Sequence, residues 1–232
     1  MRILDLYCRV GGASEGYKRA GFTVYGVDIE PIDDYRFPHY WGDALTVLEI
    51  LLAGGGITFS NGETLYLSDF DSIHASPPCQ FETALTKGTN QGNVYPNLIP
   101  PTRALLDLTG LPYVIENVQG SQARRDLVLC GEMFELEVLR HRYFELSGWT
   151  MQPPAHKPHR GRVAGYRHGE WFTGPYFAVY GDGGGKGTVA EWQRAMGIDW
   201  TSNRKNIAEA IPPAYAEFVG RGLIDHLERI AA

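Results

Sequence analysis

The chain has 232 residues, 44% apolar and 21% charged, which excludes a disordered or fibrous polymer and leaves room for one sizeable α/β domain with at most a small insertion. Lysine and arginine number 21 against 27 aspartate and glutamate, a net charge of −6, so the average surface repels phosphate and any nucleic-acid contact must come from a local basic patch. The three cysteines, Cys8, Cys79 and Cys130, are widely spaced with no CxxC pair, which argues against a disulfide framework and a cysteine-rich zinc site; no metal is expected.

In chain order, "RILDLY" reads as a strand, "CRVGGASEGYKRAG" as a glycine turn and a helix that stops at Gly21, and "FTVYGVDIE" as a second strand ending in acids. "GDALTVLEILLAGGG" predicts a helix capped by Asp43 and ended by Gly54 to Gly56. Asn61-Gly62, set between alternating apolar residues, predicts a hairpin. Ser72 to Ala75 is a short buried strand running into the rigid loop Ser76-Pro77-Pro78, which delivers Cys79 to the carboxyl end of the strand.

A long polar loop follows, then a helix near Ile99 to Leu108, the strand "PYVIENV", and "LVLCGEMF" and "VLRHRYFEL" as closely spaced strands that make the far end of the sheet antiparallel. Alternating strands and helices imply a doubly wound, mostly parallel Rossmann-like sheet. From Leu146 to Gly169 there is no acid, while Lys157, Arg160, Arg162 and Arg167 are joined by His156, His159 and His168. Tyr166, Trp171, Phe172 and Tyr176 interleave with or follow this island, a mixture suited to phosphate neutralisation and base stacking, or to a solvated loop. "GDGGGKG" is a glycine tract without the Ser or Thr of a Walker A loop. Pro212 and Pro213 start a last helix with an apolar stripe of Ala214, Phe218, Leu223, Leu227 and Ile230. Three regions are expected: a catalytic, cofactor-binding part over residues 1–145, a reduced DNA-binding segment over 146–200, and helices over 201–232 that return to the first part.

"MRILDLY" brings in Asp5 before an apolar run of signal-peptide length develops, and no stretch approaches the ~20 apolar residues of a bilayer span. A cytoplasmic protein with no membrane contact and no obligate protein partner is expected.

A glycine turn after the first strand, with an acid ending the second, suits an adenosyl cofactor: backbone approaches closely at Gly11 and Gly12, and Asp28 takes two ribose hydroxyls. Packing alone would also account for the glycines. Asp43 is either an acceptor for an adenine amino group or only a helix cap. Cys79 and Glu116 end neighbouring strands, so a thiolate nucleophile and a proton-donating carboxyl meet at one edge.

With these residues in place, the chain resembles the DNA (cytosine-5) methyltransferases, especially the short ones of bacteriophage genomes. "DLYCRVGGASEGYKRAG", "YGVDIEP" and "GDAL" are similar to the family's cofactor motifs, "SPPCQ" to its nucleophile motif and "IENV" to its carboxylate motif. "RHRYFE" resembles the paired-arginine motif and "NIAEAIPP" the last motif, which folds back beside the cofactor. The resemblance implies double-stranded DNA with a flipped cytosine as substrate, S-adenosylmethionine as methyl donor, and a prokaryotic or phage-infected cell. Cys79 and Glu116 would act on the base, with Arg140 and Arg142 holding its carbonyl and a nearby phosphate. Tyr7, Arg9, Gly11, Gly12 and Asp28 would contact the cofactor. So would Ile29, Asp43, Ala44, Pro77 and Glu209. Gln80, Lys157, Arg160, Arg162 and Arg167 would contact nucleic acid.

Three departures stand out. Arg9 occupies a position that is usually small, often glycine; Glu209 replaces an asparagine; and the recognition region runs only from Leu146 to about Ala195, which implies a short or relaxed target sequence. They leave open a catalytically silent nucleic-acid-binding relative, a methylase of pyrimidine nucleotides or RNA, and a carboxymethyltransferase using carboxy-S-adenosylmethionine. In the last case the carboxylate of the modified cofactor would answer Arg9. The other candidate anions for Arg9 are the cofactor's own methionyl carboxylate and Glu209.

Overall fold

A computed structural model describes residues 1–78, 96–167, 170–180 and 187–232, with the side chains of residues 166, 167 and 171 left out of the description. The first half of the chain alternates strand and helix: β1 (Arg2–Leu6), α1 (Gly12–Ala20), β2 (Thr23–Asp28), β3 (His39–Trp41), α2 (Ala44–Leu52), the hairpin β4 (Ile57–Thr58) and β5 (Thr64–Leu65), β6 (Ser72–Ala75), α3 (Ile99–Thr109) and β7 (Tyr113–Val118). After these come β8 (Leu127–Leu129), β9 (Arg142–Ser147), the hairpin β10 (Gly165–Arg167) and β11 (Glu170–Phe172), α4 (Val189–Met196), α5 (Arg204–Glu209) and α6 (Pro213–Ala231).

The main sheet has seven strands in the order β3-β2-β1-β6-β7-β9-β8. Strands β3, β2, β1, β6 and β7 are parallel, while β9 runs antiparallel to both β7 and β8. The fold is therefore the doubly wound, mostly parallel sheet expected, with an antiparallel end. The strand β3, three residues at the edge, carries no sequence signal of its own.

Alternation along the strands sorts residues between the two helical layers. Leu4, Leu6, Ile73 and Ile115 pack with Val47 and Leu48 of α2, Leu106 of α3 and the β4–β5 hairpin. Ile3, Val114 and Phe144 point to the opposite face and pack under Tyr17 of α1 and Tyr215, Val219 and Leu223 of α6. The same alternation sends the polar residues Asp5 and His74, which are register partners, toward α1. There His74 is buried and neutral, its pKa pushed down to about 3 by desolvation, with Nδ1 bonded to Tyr17 and Nε2 to Ser76. A third cluster joins Trp192 and Met196 of α4 and Ile207 of α5 to Val10 of the first turn.

Local signals set several ends. Asp43 caps α2, accepting from the Thr46 backbone N–H at 2.8 Å, and Thr188 and Glu191 form a reciprocal capping box on α4. Helix α6 starts at Pro213 as expected. Its buried face differs from the apolar stripe read off the sequence: Tyr215, Ala216, Val219, Gly220, Leu223 and Leu227 are buried, Ala214 and Phe218 only partly, and Ile230 is 64% exposed. Close approach chose this face. A Cβ on Gly16 of α1 would stand 2.3 Å from the Pro213 carbonyl oxygen, and one on Gly220 would stand 2.8 Å from Ala20 Cβ. Small residues therefore set the seam, and a stripe drawn through the bulky ones misplaces it.

Gly12 is under the same constraint, because a Cβ there would lie 2.2 Å from the Ile211 carbonyl oxygen. Gly12→Ala is expected to destabilise the fold by about 1–3 kcal/mol, the usual cost of overpacking against rigid backbone. Urea denaturation checks this, and a change below the error of the midpoint would show that residues 210–213 give way freely.

Candidate active site

The turn after β1 holds three residues with left-handed backbone: Tyr7 (φ 60°), Arg9 (φ 47°) and Gly11 (φ 86°). Glycine meets such a φ without cost and arginine does not, which accounts for the small residue usual at the Arg9 position in the resembling family. Asp28 braces the turn: one carboxylate oxygen accepts from the Arg9 backbone N–H at 2.8 Å and the other from Glu30 N–H at 3.1 Å. The Arg9 guanidinium donates to Glu30 at 2.8 Å and to Glu209. Of the anions considered for Arg9, the structure brings up Glu209, together with Glu30, which the sequence reading missed.

A cavity of about 330 Å³ opens at the carboxyl edge of the sheet, where the strand order switches between the parallel neighbours β1 and β6. Its cofactor-side wall includes Tyr7, Arg9, Gly12, Asp28, Ile29 and Glu209, six of the predicted contacts. Tyr7 is tied through its hydroxyl to Thr102 at 2.8 Å, and Ile29 presents an apolar surface that is 69% exposed. Gly11, Asp43 and Ala44 stand outside the wall. One oxygen of the exposed Asp43 carboxylate serves the α2 cap, and the backbone of Ile211 packs against Gly12.

Asp5, which the sequence reading passed over, lies fully buried on the same wall. One of its oxygens accepts from Ser14 at 2.5 Å and the other has no partner. Desolvation pushes its pKa up to about 7. The available signal was a carboxylate inside an otherwise apolar strand.

Across the cavity lie Ser76, Pro77, Pro78, Glu116, Arg140 and Arg142. Strands β6 and β7 are adjacent and parallel, with Ala75 beside Ile115, so the proline stem and Glu116 leave the sheet side by side. Asn117 locks them together by donating from Nδ2 to the Pro77 carbonyl at 2.8 Å. Cys79 and Gln80 lie outside the described residues, one and two positions beyond this stem.

The Glu116 carboxyl is buried, and desolvation raises its pKa against the lowering pull of Arg142, Arg140 and a hydrogen bond from Ser76. Arg142 Nε stands 2.9 Å from Glu116 Oε1 but off the line of a hydrogen bond, so that oxygen is ion-paired without being bonded.

Arg140, which also lines the cavity, has a structural task beside the substrate contact expected. Its guanidinium donates to the carbonyls of Val179, Ala208 and Ala210 at 2.9, 2.5 and 2.9 Å, joining the basic segment and the last motif to the sheet. In the basic island, Arg160 is likewise committed, to Glu132 at 2.8 Å, and Tyr176 is fully buried, with its hydroxyl donating to Glu132. Tyr176 is thus no stacking surface. Lys157 and Arg162 are exposed, the latter 5.6 Å from the Phe172 ring centroid. The side chain of Arg167, and His168 as a whole, lie outside the described residues.

Asp5 gives a pH signature. A carboxyl whose folded pKa is raised from 3.8 to about 7 is best tolerated below the lower value, and its stabilisation is lost as pH rises through the upper one. The stability gained by Asp5→Asn is therefore expected to grow from about pH 4 to about pH 7 and level off above, as read by urea denaturation along a pH series. A pH-independent difference would place the Asp5 carboxyl in water.

No protein-family model and no curated protein matches the chain. Solved structures do. An Escherichia coli prophage protein assigned as a DNA modification methyltransferase superposes with a TM-score of 0.62 at 16% identity, over 98% of this chain and 99% of that one. The S. pombe Dnmt2 methyltransferase does so with 0.64 at 14% identity, over 97% and 99%. Spodoptera frugiperda DNMT2, as an E260A/E261A/K263A mutant, gives 0.61 at 14% identity over 96% and 99%. The seven-stranded sheet and its flanking helices thus match the Rossmann-like fold of S-adenosylmethionine-dependent methyltransferases.

Proposed function

We propose that the chain is a DNA (cytosine-5) methyltransferase. The observation that carries the reading is a single cavity with Asp28 and Ile29 on one wall and the proline stem of Cys79, Glu116 and Arg142 on the other. A cofactor held at the first wall faces a base held at the second.

The donor set fits S-adenosylmethionine: the unpartnered, buried oxygen of Asp5 suits an ammonium group, the Asp28 carboxylate suits ribose hydroxyls, and exposed Ile29 suits the face of a purine. That cofactor supplies an electrophilic methyl group. The chain's own residues prepare the base. Cys79 adds as thiolate to cytosine C6, while Glu116, whose burial favours the protonated form, gives a proton to N3, so that the electron pair of the C5–C6 bond gathers at C5. Arg142 restrains the Glu116 carboxyl through charge without taking up its lone pairs along a hydrogen bond. After C5 has accepted the methyl group, a base removes the C5 proton, N3 returns its proton to Glu116, and the thiolate leaves as the C5–C6 double bond re-forms. Buried Glu116 also needs the base out of its stack, in keeping with a flipped cytosine.

Arg9, the departure that favoured a silent relative or a carboxymethyltransferase, is satisfied by Glu30 and Glu209, which weakens the case for both. Methylation of RNA or of a pyrimidine nucleotide is the remaining alternative, separated by substrate. With labelled S-adenosylmethionine, label is expected on DNA and not on RNA or deoxycytidine monophosphate, and Glu116→Gln is expected to slow transfer ~10²- to 10⁴-fold. Label on RNA alone, or undiminished transfer by Glu116→Gln, would overturn the assignment.

The exposed cations of the island are the proposed phosphate contacts. In Lys157→Ala/Arg162→Ala the plot of log affinity for duplex DNA against log salt is expected to flatten by about 0.9 for each phosphate that is no longer neutralised, and less in Arg160→Ala, whose cation is already paired. An unchanged slope in the double variant would make the island a solvated loop.

A further inference from the structure

Away from the cavity, Cys130, His141, His156 and His159 converge: one ligand atom from each lies within 4.8 Å of the others. Cys130 Sγ is 3.6 Å from His159 Nε2, and the three imidazole centroids are 5.0 to 5.5 Å apart. Tetrahedral zinc, with bonds of about 2.3 Å to sulfur and about 2.0–2.1 Å to nitrogen, sets its ligand atoms about 3.3–3.6 Å from one another. The thiol–imidazole pair is already at that spacing. The remaining contraction is a matter of side-chain rotation, with His156 and His159 both exposed on a loop.

We infer that these four residues form a closed site for a zinc-class divalent cation, which staples the basic loop to the edge of the catalytic sheet. Sulfur and imidazole donors suit zinc and not magnesium or calcium, and four protein ligands complete a structural coordination shell. Binding replaces the proton of the Cys130 thiol, which is released to solvent.

Two ligands belong to the framework and two to the loop. Cys130 is buried at the end of β8, and His141 sits in the strap entering β9 between Arg140 and Arg142. His156 and His159, spaced H-x₂-H, lie in residues 148–162, which form no helix or strand. Trp149 and Met151 anchor the start of that loop in the α6 cluster, but every residue from Ala155 to Arg162 is exposed. A stretch with so little apolar cover needs another tie, and a metal is a common one in small units. Glu132, two residues past Cys130, is paired with Arg160 and accepts from Tyr176, which brings the same loop to this edge. The expectation of no metal rested on cysteine spacing, which is blind to a site with one cysteine and three histidines.

The test uses the full, untagged chain, equilibrated with zinc sulfate and passed through gel filtration, with metal measured by mass spectrometry. One zinc per chain is expected to be retained. His156→Ala and His159→Ala, both on the exposed loop, are expected to keep the wild-type circular dichroism and to lose the bound zinc. With cobalt(II) in place of zinc, the wild-type chain is expected to show a thiolate-to-cobalt charge-transfer band that Cys130→Ser lacks. Trypsin cleavage after Arg160 and Arg162 is expected to quicken when zinc is chelated. Retention well below one equivalent by the wild-type chain, full retention by the two histidine variants, or cleavage indifferent to chelation would overturn the site. None of these readouts depends on methyl transfer.

Discussion

The return of residues 204–213 across the start of α1 is the constraint on which the rest of the molecule depends. Gly12 and Gly16 carry no Cβ, so the carbonyls of Ile211 and Pro213 occupy space that any other residue would fill. From this approach follow the floor of the cavity at Ala208 to Ile211, the meeting of Glu209 with Arg9, and the seating of α6 on α1. Arg140 fastens the arrangement from the other side by donating to Ala208 and Ala210, while its own carbonyl accepts from Tyr215 of α6. A side chain at the rim of the site thus also serves as a buckle, its guanidinium bonded to carbonyls of the last motif.

The buried acids are treated in contrasting ways. Glu145 in β9 is fully buried and fully answered: Arg103 of α3 forks onto both oxygens at 2.6 and 2.7 Å, and Arg124 adds its backbone N–H at 2.8 Å and its side chain at 3.0 Å. Such a group holds α3 to the sheet and has no lone pair to spare, and removing one partner would strand a buried charge. Asp5 and Glu116 are left incomplete. Each is buried, each has an oxygen without a hydrogen bond, and desolvation raises the pKa of each. Incomplete satisfaction in a buried carboxyl costs stability, and both examples face the same cavity, where a ligand can complete them.

The turn beneath the cavity carries its own strain, since Tyr7 and Arg9 hold left-handed backbone at roughly 1–2 kcal/mol each. Asp28 offsets this by accepting from the Arg9 N–H, and Glu30 and Glu209 fix the side chain along the cavity wall. A cationic residue is thereby accommodated where glycine would be cheaper.

By itself the sequence determined what depends on neighbours along the chain. Period-two apolar runs and their glycine, proline and aspartate punctuation specify β1, β2, β6 and β7, the Asn61-Gly62 hairpin, the Asp43 cap and the start of α6, because those signals act over a few residues. The order of the motifs placed Asp28 and Glu116 at one edge, since parallel strands end together, and Arg142 joins them there because antiparallel β9 starts where β7 ends. Tertiary structure decided how each long side chain spends its charge. Arg140 and Arg160 look available in the sequence but are committed to Ala208 and Glu132, residues remote in the chain; Tyr176 looks like a stacking ring but is buried. The buried face of α6 was set by Gly16 and Gly220, two small residues on different helices, and the Cys130, His141, His156 and His159 cluster exists only because a loop folds back over the end of β8. Hydrogen bonds, ion pairs and metal ligation act over a few ångströms of space whatever the separation along the chain, so their partners become legible only when the chain has closed on itself.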